Sequence, residues 1–217
     1  MVPLYFYSFV EDEATRSVAL RLIAHFTQKT GSEIALAPGH PVVTHGYGDL
    51  KRKAQKLIKA AKSGVASFFL TDLDRWATPN DLAKDWFSIE CLSEVPPNFV
   101  FRVSVREVES WIMADRAEFA KFMGVAETNL PEKPDEEPDP KQSLFNLIKS
   151  KCRKKCYKEM LPLPGQHVGV AYNPMLCKFV MERWNPERAA TRSPSLNRSL
   201  SRVIARLSSA VQSPQPK

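Results

Sequence analysis

Four cysteines in 217 residues, Cys91, Cys152, Cys156 and Cys177, are too few for a disulfide framework. Reduced thiols in a cytoplasmic protein are the expectation. No apolar run approaches the ~20 residues that span a bilayer, and no basic-then-apolar leader opens the chain, so no signal peptide is expected. A G-x-x-x-x-G-K-[ST] loop is missing, so this chain is not itself a P-loop ATPase. A nucleophile elbow with a Ser-His-Asp set is missing too. Cys152 and Cys156 are followed by His167 and Cys177, but KCRKKCYK lacks the spacing of zinc ligands, so zinc is not expected. No internal repeat occurs.

What is present is ordinary globular composition, 43% hydrophobic and 25% charged, with a strong asymmetry of charge. Residues 1–140 carry 16 Lys/Arg against 21 Asp/Glu, a net −5. Residues 141–217 carry 15 against 3, a net +12. The first part can attract cations and the second a polyanion.

Strand and helix signals alternate through residues 1–125. Leu4 to Val10 reads as an aromatic-rich strand, and Ala14, Val18, Leu22, Ile23 and Phe26 recur at helical spacing up to Gly31. Glu33 to Ala37 is a short strand and residues 49–63 a Lys-rich helix. Val65 to Leu70 is a continuous apolar run, the signature of a strand buried on both faces. Pro79 opens a helix reaching about Leu92, Phe99 to Val105 is a strand, and one helical stretch runs from Val108 to Met123. The expected class is α/β with a mostly parallel sheet. Residues 126–140, with four prolines and no periodicity, are expected to form an acidic, extended, mobile loop. Residues 141–217 form a basic helical extension. In it Pro174 starts a helix to Trp184, and Ser195 caps a last helix with the stripe Leu196, Leu200, Val203, Ile204 and Leu207. The final SPQPK, from about residue 212 on, is expected to be disordered.

Carboxylates follow three of the strands. Asp72 and Asp74 end the buried run in FFLTDLDRW, where residues two apart project to one side. Two such carboxylates repel unless a cation lies between them, and Mg²⁺ (or Mn²⁺) takes hard oxygen ligands of this kind. Glu11 ends the first strand in VEDEATRS. Acids capping the following helix account for Asp12 or Glu13 but do not require Glu11. Glu107 and Glu109 follow Val105 directly, and Asp115 closes that segment. Parallel sheets place functional groups beyond the carboxyl ends of their strands. The three sites together predict a pocket for divalent ions, with Glu11, Asp72 and Asp74 as ligands and Glu107 and Glu109 as further catalytic candidates. Lys51, Arg52 and Lys53, after the loop that holds His40 and His45, and Arg192, Arg198 and Arg202 near the C-terminus are the candidate nucleic-acid contacts. Trp184 is expected to pack rather than stack on a base.

The arrangement of FVEDEATRSVALRLI followed by FFLTDLDRW resembles the Toprim domain of primases, topoisomerases and overcoming-lysogenization-defect nucleases. In that family a Glu after the first strand serves as general acid/base, and a D-x-D after a later strand holds Mg²⁺. The resemblance assigns those roles to Glu11 and to Asp72 and Asp74. The family often has Gly after its Glu, where Asp12 stands here. REVESWIMAD, AYNPMLCKFVMERWNPERAA and RSPSLNRSLSRV resemble a bacterial Toprim-related family whose members look like companions of ABC- or SMC-type ATPases in phage defence. The resemblance implies a Toprim-like Rossmannoid core over residues 1–125 and Mg²⁺-dependent cleavage of nucleic-acid phosphodiesters, with an ATPase partner. A non-catalytic nucleic-acid-binding or regulatory subunit is the alternative. Primase and topoisomerase activities fit less well, because further domains and a singled-out tyrosine nucleophile are lacking.

Overall fold

A computed structural model describes residues 4–31 and 33–212. The SPQPK tail lies outside the described residues. The strands are β1 (Leu4–Phe6), β2 (Phe9–Val10), β3 (Ile34–Leu36), β4 (Val42–Val43), β5 (Ser67–Asp72) and β6 (Phe99–Ser104). β1 pairs with β3, β2 with β4 and β5 with β6, all parallel. Tyr7 joins the pairs: its N–H donates to Ala66 O at 3.0 Å and its carbonyl accepts from Phe68 N at 2.9 Å. The six segments thus fill four positions of one parallel sheet, in the order β3/β4, β1/β2, β5, β6.

The crossovers are α1 (Glu13–Thr30), α2 (Tyr47–Ala61) and α3 (Pro79–Phe87). Successive strand residues face opposite ways, and the core splits accordingly. Phe68, Leu70 and Val100 pack with α1 residues Val18, Leu22 and Phe26. Phe69, Phe99, Phe101 and Val103 pack with Leu50, Leu82 and Trp86 of α2 and α3. A sheet covered on both faces explains why β5 reads as an unbroken apolar run. The chain reverses winding direction between β1/β2 and β5, and in open parallel sheets this switch point is where ligands bind.

Two boundaries differ from the sequence reading. α3 stops at Phe87, because Ser88 turns left-handed at φ 55°. The long helix after β6 is two, α4 (Val108–Ala114) and α5 (Arg116–Met123). It breaks at Asp115, whose carboxylate accepts two bonds from Arg188, at 2.8 and 2.9 Å, and one from Asn185 N at 2.9 Å. Burying that carboxylate with three hydrogen bonds outweighs one more turn of helix.

The remaining helices are α6 (Pro140–Ser150), α7 (Lys155–Lys158), α8 (Tyr172–Glu182), α9 (Pro186–Ala190) and α10 (Pro194–Gln212). They share the α1-side core through Leu144, Ile148, Leu176, Phe179, Trp184, Leu196, Leu200 and Val203. The division at residue 140 is therefore one of charge, while the packing is continuous. Trp184 is fully buried, and its Nε1 donates to Trp111 O at 3.0 Å. The acidic segment is anchored rather than free: Leu130, Pro134 and Pro140 are buried. Asp135 accepts from Ser193 Oγ at 2.6 Å and from Ser195 N at 2.7 Å.

The cap of α10 is Ser193, not Ser195. Ser193 Oγ accepts from Leu196 N at 3.2 Å, and Ser195 Oγ accepts from Trp111 Nε1 at 2.7 Å. Ser193→Ala removes both the cap and a donor to Asp135, and is expected to cost about 1–2 kcal/mol. Urea unfolding checks this, and an unchanged midpoint contradicts the assignment. Among the described residues no helix is long and apolar enough to cross a membrane.

Candidate active site

The chain ends of β2, β5 and β6 deliver carboxylates to one place. Glu11 follows β2, and Asp12 begins α1 by accepting from Thr15 N at 2.7 Å, so the capping role falls to Asp12 and leaves Glu11 uncommitted. Asp72 is the last residue of β5, opposite Ser104 in the β5–β6 register. Ser104 Oγ donates to it at 2.6 Å. Asp74 sits exposed at the rim with φ 48°, a conformation that Asp tolerates better than most residues. Backbone bonds fix the turn: Leu73 N and Asp74 N both donate to Arg106 O, and the Arg106 side chain donates to Asp74 O and Trp76 O.

Glu107 and Glu109 form the next wall. Glu109 is 1% exposed; one oxygen accepts from Tyr172 OH, and Oε2 is buried with no hydrogen-bond partner. Glu107 Oε2 accepts from Lys141 N at 2.9 Å, at the start of α6. The Lys141 ammonium stands 3.8 Å from Glu107 and 3.7 Å from Glu109. Asp139 at the cap and Pro140 at the first position set the start of this helix, and so place Lys141 over the carboxylates. Lys141, Ser104 and Tyr172 are neighbours of these carboxylates that the sequence reading did not find.

The electrostatics show how closely the groups meet. Burial raises the Glu11 carboxyl, and Asp74, Asp12 and Glu109 raise it further against the pull of Lys141. Asp72 lies well above the ordinary carboxylate range, through burial and then Glu109, with the Ser104 bond opposing. Loss of solvent also raises Asp74, opposed by Lys141 and Arg75. Glu109 is raised by burial, with Lys141 and Tyr172 opposing. Glu107 is pushed up to about 7 by burial and by Glu109. Burial disfavours the charge of Lys141, yet Glu109, Glu107, Asp72 and Asp12 together lift its pKa. The cluster holds more negative charge than one ammonium can balance.

A pH dependence follows. A carboxyl whose folded pKa is raised takes up protons on folding, so its contribution is full below its unfolded value and is lost as pH rises through the folded value. For Glu107 that window runs from 4.5 to about 7, and Glu11, Asp72, Asp74 and Glu109 shift in the same sense. Without divalent ions the melting temperature is expected to fall by several degrees between about pH 5 and pH 7.5. A flat or rising profile contradicts the cluster.

Among the described residues, no three His, Cys, Asp or Glu side chains are gathered tightly enough to hold a metal ion by themselves. The contacts give a reason: Ser104 holds Asp72, Tyr172 holds Glu109, and Lys141 draws on Glu107 and Glu109. The donor set nonetheless suits a hard cation. Mg²⁺ needs only one or two carboxylates beside water and phosphate oxygens. Burial raises both Glu11 and Asp74, the Asp74 charge raises Glu11 further, and the buried Glu109 Oε2 lacks a donor.

Of the basic candidates, Lys51, Arg52 and Lys53 are already engaged. Lys51 pairs with Asp85 at 2.8 Å and Arg52 with Asp49 at 3.2 Å, while Lys53 stands over the Phe9 ring at 5.2 Å. Arg192, Arg198 and Arg202 are exposed. Cys152 is buried and Cys156 exposed, and both are free thiols. No protein-family model, curated protein or solved structure matches the chain.

Proposed function

We propose that this protein is a Mg²⁺-dependent nuclease that cleaves nucleic-acid phosphodiesters, with Glu11, Asp72 and Asp74 as its metal-holding and catalytic core. The observation that carries the reading is the convergence of these carboxylates, with Lys141 among them, at the carboxyl ends of parallel strands beside the winding switch. The Toprim-like pattern of Glu11 and the D-x-D supports it. A bound Mg²⁺ supplies Lewis acidity at the scissile phosphate and acidifies water. Glu11, whose carboxyl is raised by burial and by Asp74, is suited to take and return a proton. Lys141 is held by long contacts of 3.7 and 3.8 Å, so its ammonium can turn to a phosphate oxygen as charge builds there. The Ser104 bond orients Asp72, and the Tyr172 bond keeps Glu109 facing the cluster.

An ATPase partner and a role in phage defence belong to the same proposal, on the resemblance of the C-terminal segments alone. One observation favours a non-catalytic subunit: a protein ammonium already stands where a cation belongs. Incubating the purified chain with labelled single-stranded DNA, duplex DNA and RNA, with and without Mg²⁺ or Mn²⁺, separates the readings. Metal-dependent product supports the nuclease, and its absence in every case, with the partner ATPase present as well, supports the binding subunit.

A further inference from the structure

A second feature lies along the outer side of β6. This strand pairs only with β5 among the described strands, and α10 runs beside its open edge. Between them is a cleft of about 50 Å³, lined by Arg102 of β6 and by Arg198, Ser199 and Arg202 of α10, over an apolar floor that includes Phe101 and Val103. Arg198 and Arg202 are one helical turn apart, so they project from the same face of α10, where like charges repel. Arg102 adds a third guanidinium from the opposite wall. Among the described residues none that lines the cleft is acidic. Three guanidinium groups around a small concavity with no carboxylate in its wall constitute a receptor for an anion with several oxygens. The planar fork of arginine matches phosphate, which it can bind through paired N–H donors.

The cleft adjoins the carboxylate cluster. Val105 lines it, while Ser104 on one side holds Asp72 and Arg106 on the other holds the Asp74 turn. Val105 of the cleft wall precedes Glu107 of the cluster by two residues along the chain. We propose that the Arg102–Arg198–Arg202 cleft is a phosphate subsite that grips a backbone phosphate of the nucleic-acid strand next to the one held at the carboxylates. The inference rests on the nuclease reading for the identity of the strand, and on the cleft alone for the binding of phosphate. It also divides the basic surface: Arg198 and Arg202 act together in a formed cleft.

The test uses two probes without divalent metal: inorganic phosphate at fixed ionic strength, and a short single-stranded oligonucleotide over a salt series. Binding of each is measured calorimetrically to the wild-type chain, to the Arg198→Gln/Arg202→Gln variant, and to Lys178→Gln as an exposed basic control on α8. Phosphate affinity is expected to fall at least about tenfold in the double variant and to hold in the control. For the oligonucleotide the double variant should also lower the salt slope by about two. Urea unfolding of the double variant verifies that its fold persists, and Arg198→Lys/Arg202→Lys, which keeps charge but loses the fork, should fall between. Equal phosphate affinity in wild type and double variant overturns the subsite. Lost phosphate binding with unchanged oligonucleotide binding and slope overturns the strand assignment and leaves a site for free phosphate. If the wild type fails to cleave with metal, with the partner ATPase present as well, while the phosphate result holds, the nuclease reading fails and the cleft stands.

Discussion

Changing Asp72 and Asp74 together to Asn should lower metal-dependent cleavage by about a thousandfold or more, with binding of nucleic acid nearly unchanged. The size follows from the several kcal/mol that a metal contributes at a developing charge, each 1.36 kcal/mol being tenfold in rate. Asn preserves side-chain volume and can still accept the Ser104 hydrogen bond at position 72. It removes two of the charges that repel Glu11 and Glu109, so the variant should be at least as stable as the parent without metal. Cleavage and binding of the same oligonucleotide, with melting temperatures in chelator, provide the measurement. Unchanged cleavage, or a loss of activity that tracks unfolding, contradicts the role.

Lys141→Met should produce the largest change in stability, about 3 kcal/mol lost in chelator. Breaking a buried ion pair from one side leaves the other charges uncompensated, and here Glu107, Glu109, Asp72 and Asp12 all lean on this ammonium. Some of the loss is relieved because the carboxyl groups can bind protons, so the deficit should shrink at about pH 5. A divalent ion replaces the missing positive charge, so Mg²⁺ should raise the melting temperature of the variant more than that of the wild type. The Met side chain keeps the aliphatic stem, which separates charge from packing. Equal stability of the two chains at neutral pH in chelator shows that the ammonium is incidental to the cluster.

Much of this arrangement is legible in the residues themselves. The apolar run before Asp72 and the alternation of strands and helices give a parallel sheet, and a parallel sheet implies that Glu11 and Asp72 emerge on the same side. Period and polarity are local properties, so the elements can be read. Lys141 cannot be read this way, because it comes from a helix that packs back over the sheet after a proline-rich segment. The signal available was Asp139-Pro140, a cap followed by proline, which marks a helix start immediately before Lys141. Tyr172 reaches Glu109 across 63 residues, and no local pattern announces it. The acidic segment misleads for a related reason. Its prolines suppress periodicity, yet Leu130, Pro134 and Asp135 each have a tertiary partner or a buried place. Asp115 breaks a helix that its own apolar spacing would continue, since the competing partner Arg188 is distant in sequence.

The central claim is that raised, mutually repelling carboxyl groups form a cation site, and Mn²⁺ titration tests it most directly. Calorimetry at about pH 6.5 in buffers of different ionisation heat measures binding and proton release together. The wild type should bind Mn²⁺ saturably and release protons as Glu107 and its neighbours ionise, with affinity falling as pH falls. Asp72→Asn/Asp74→Asn should lose most of that binding. No saturable binding, or the same binding and proton release in the variant, contradicts the account.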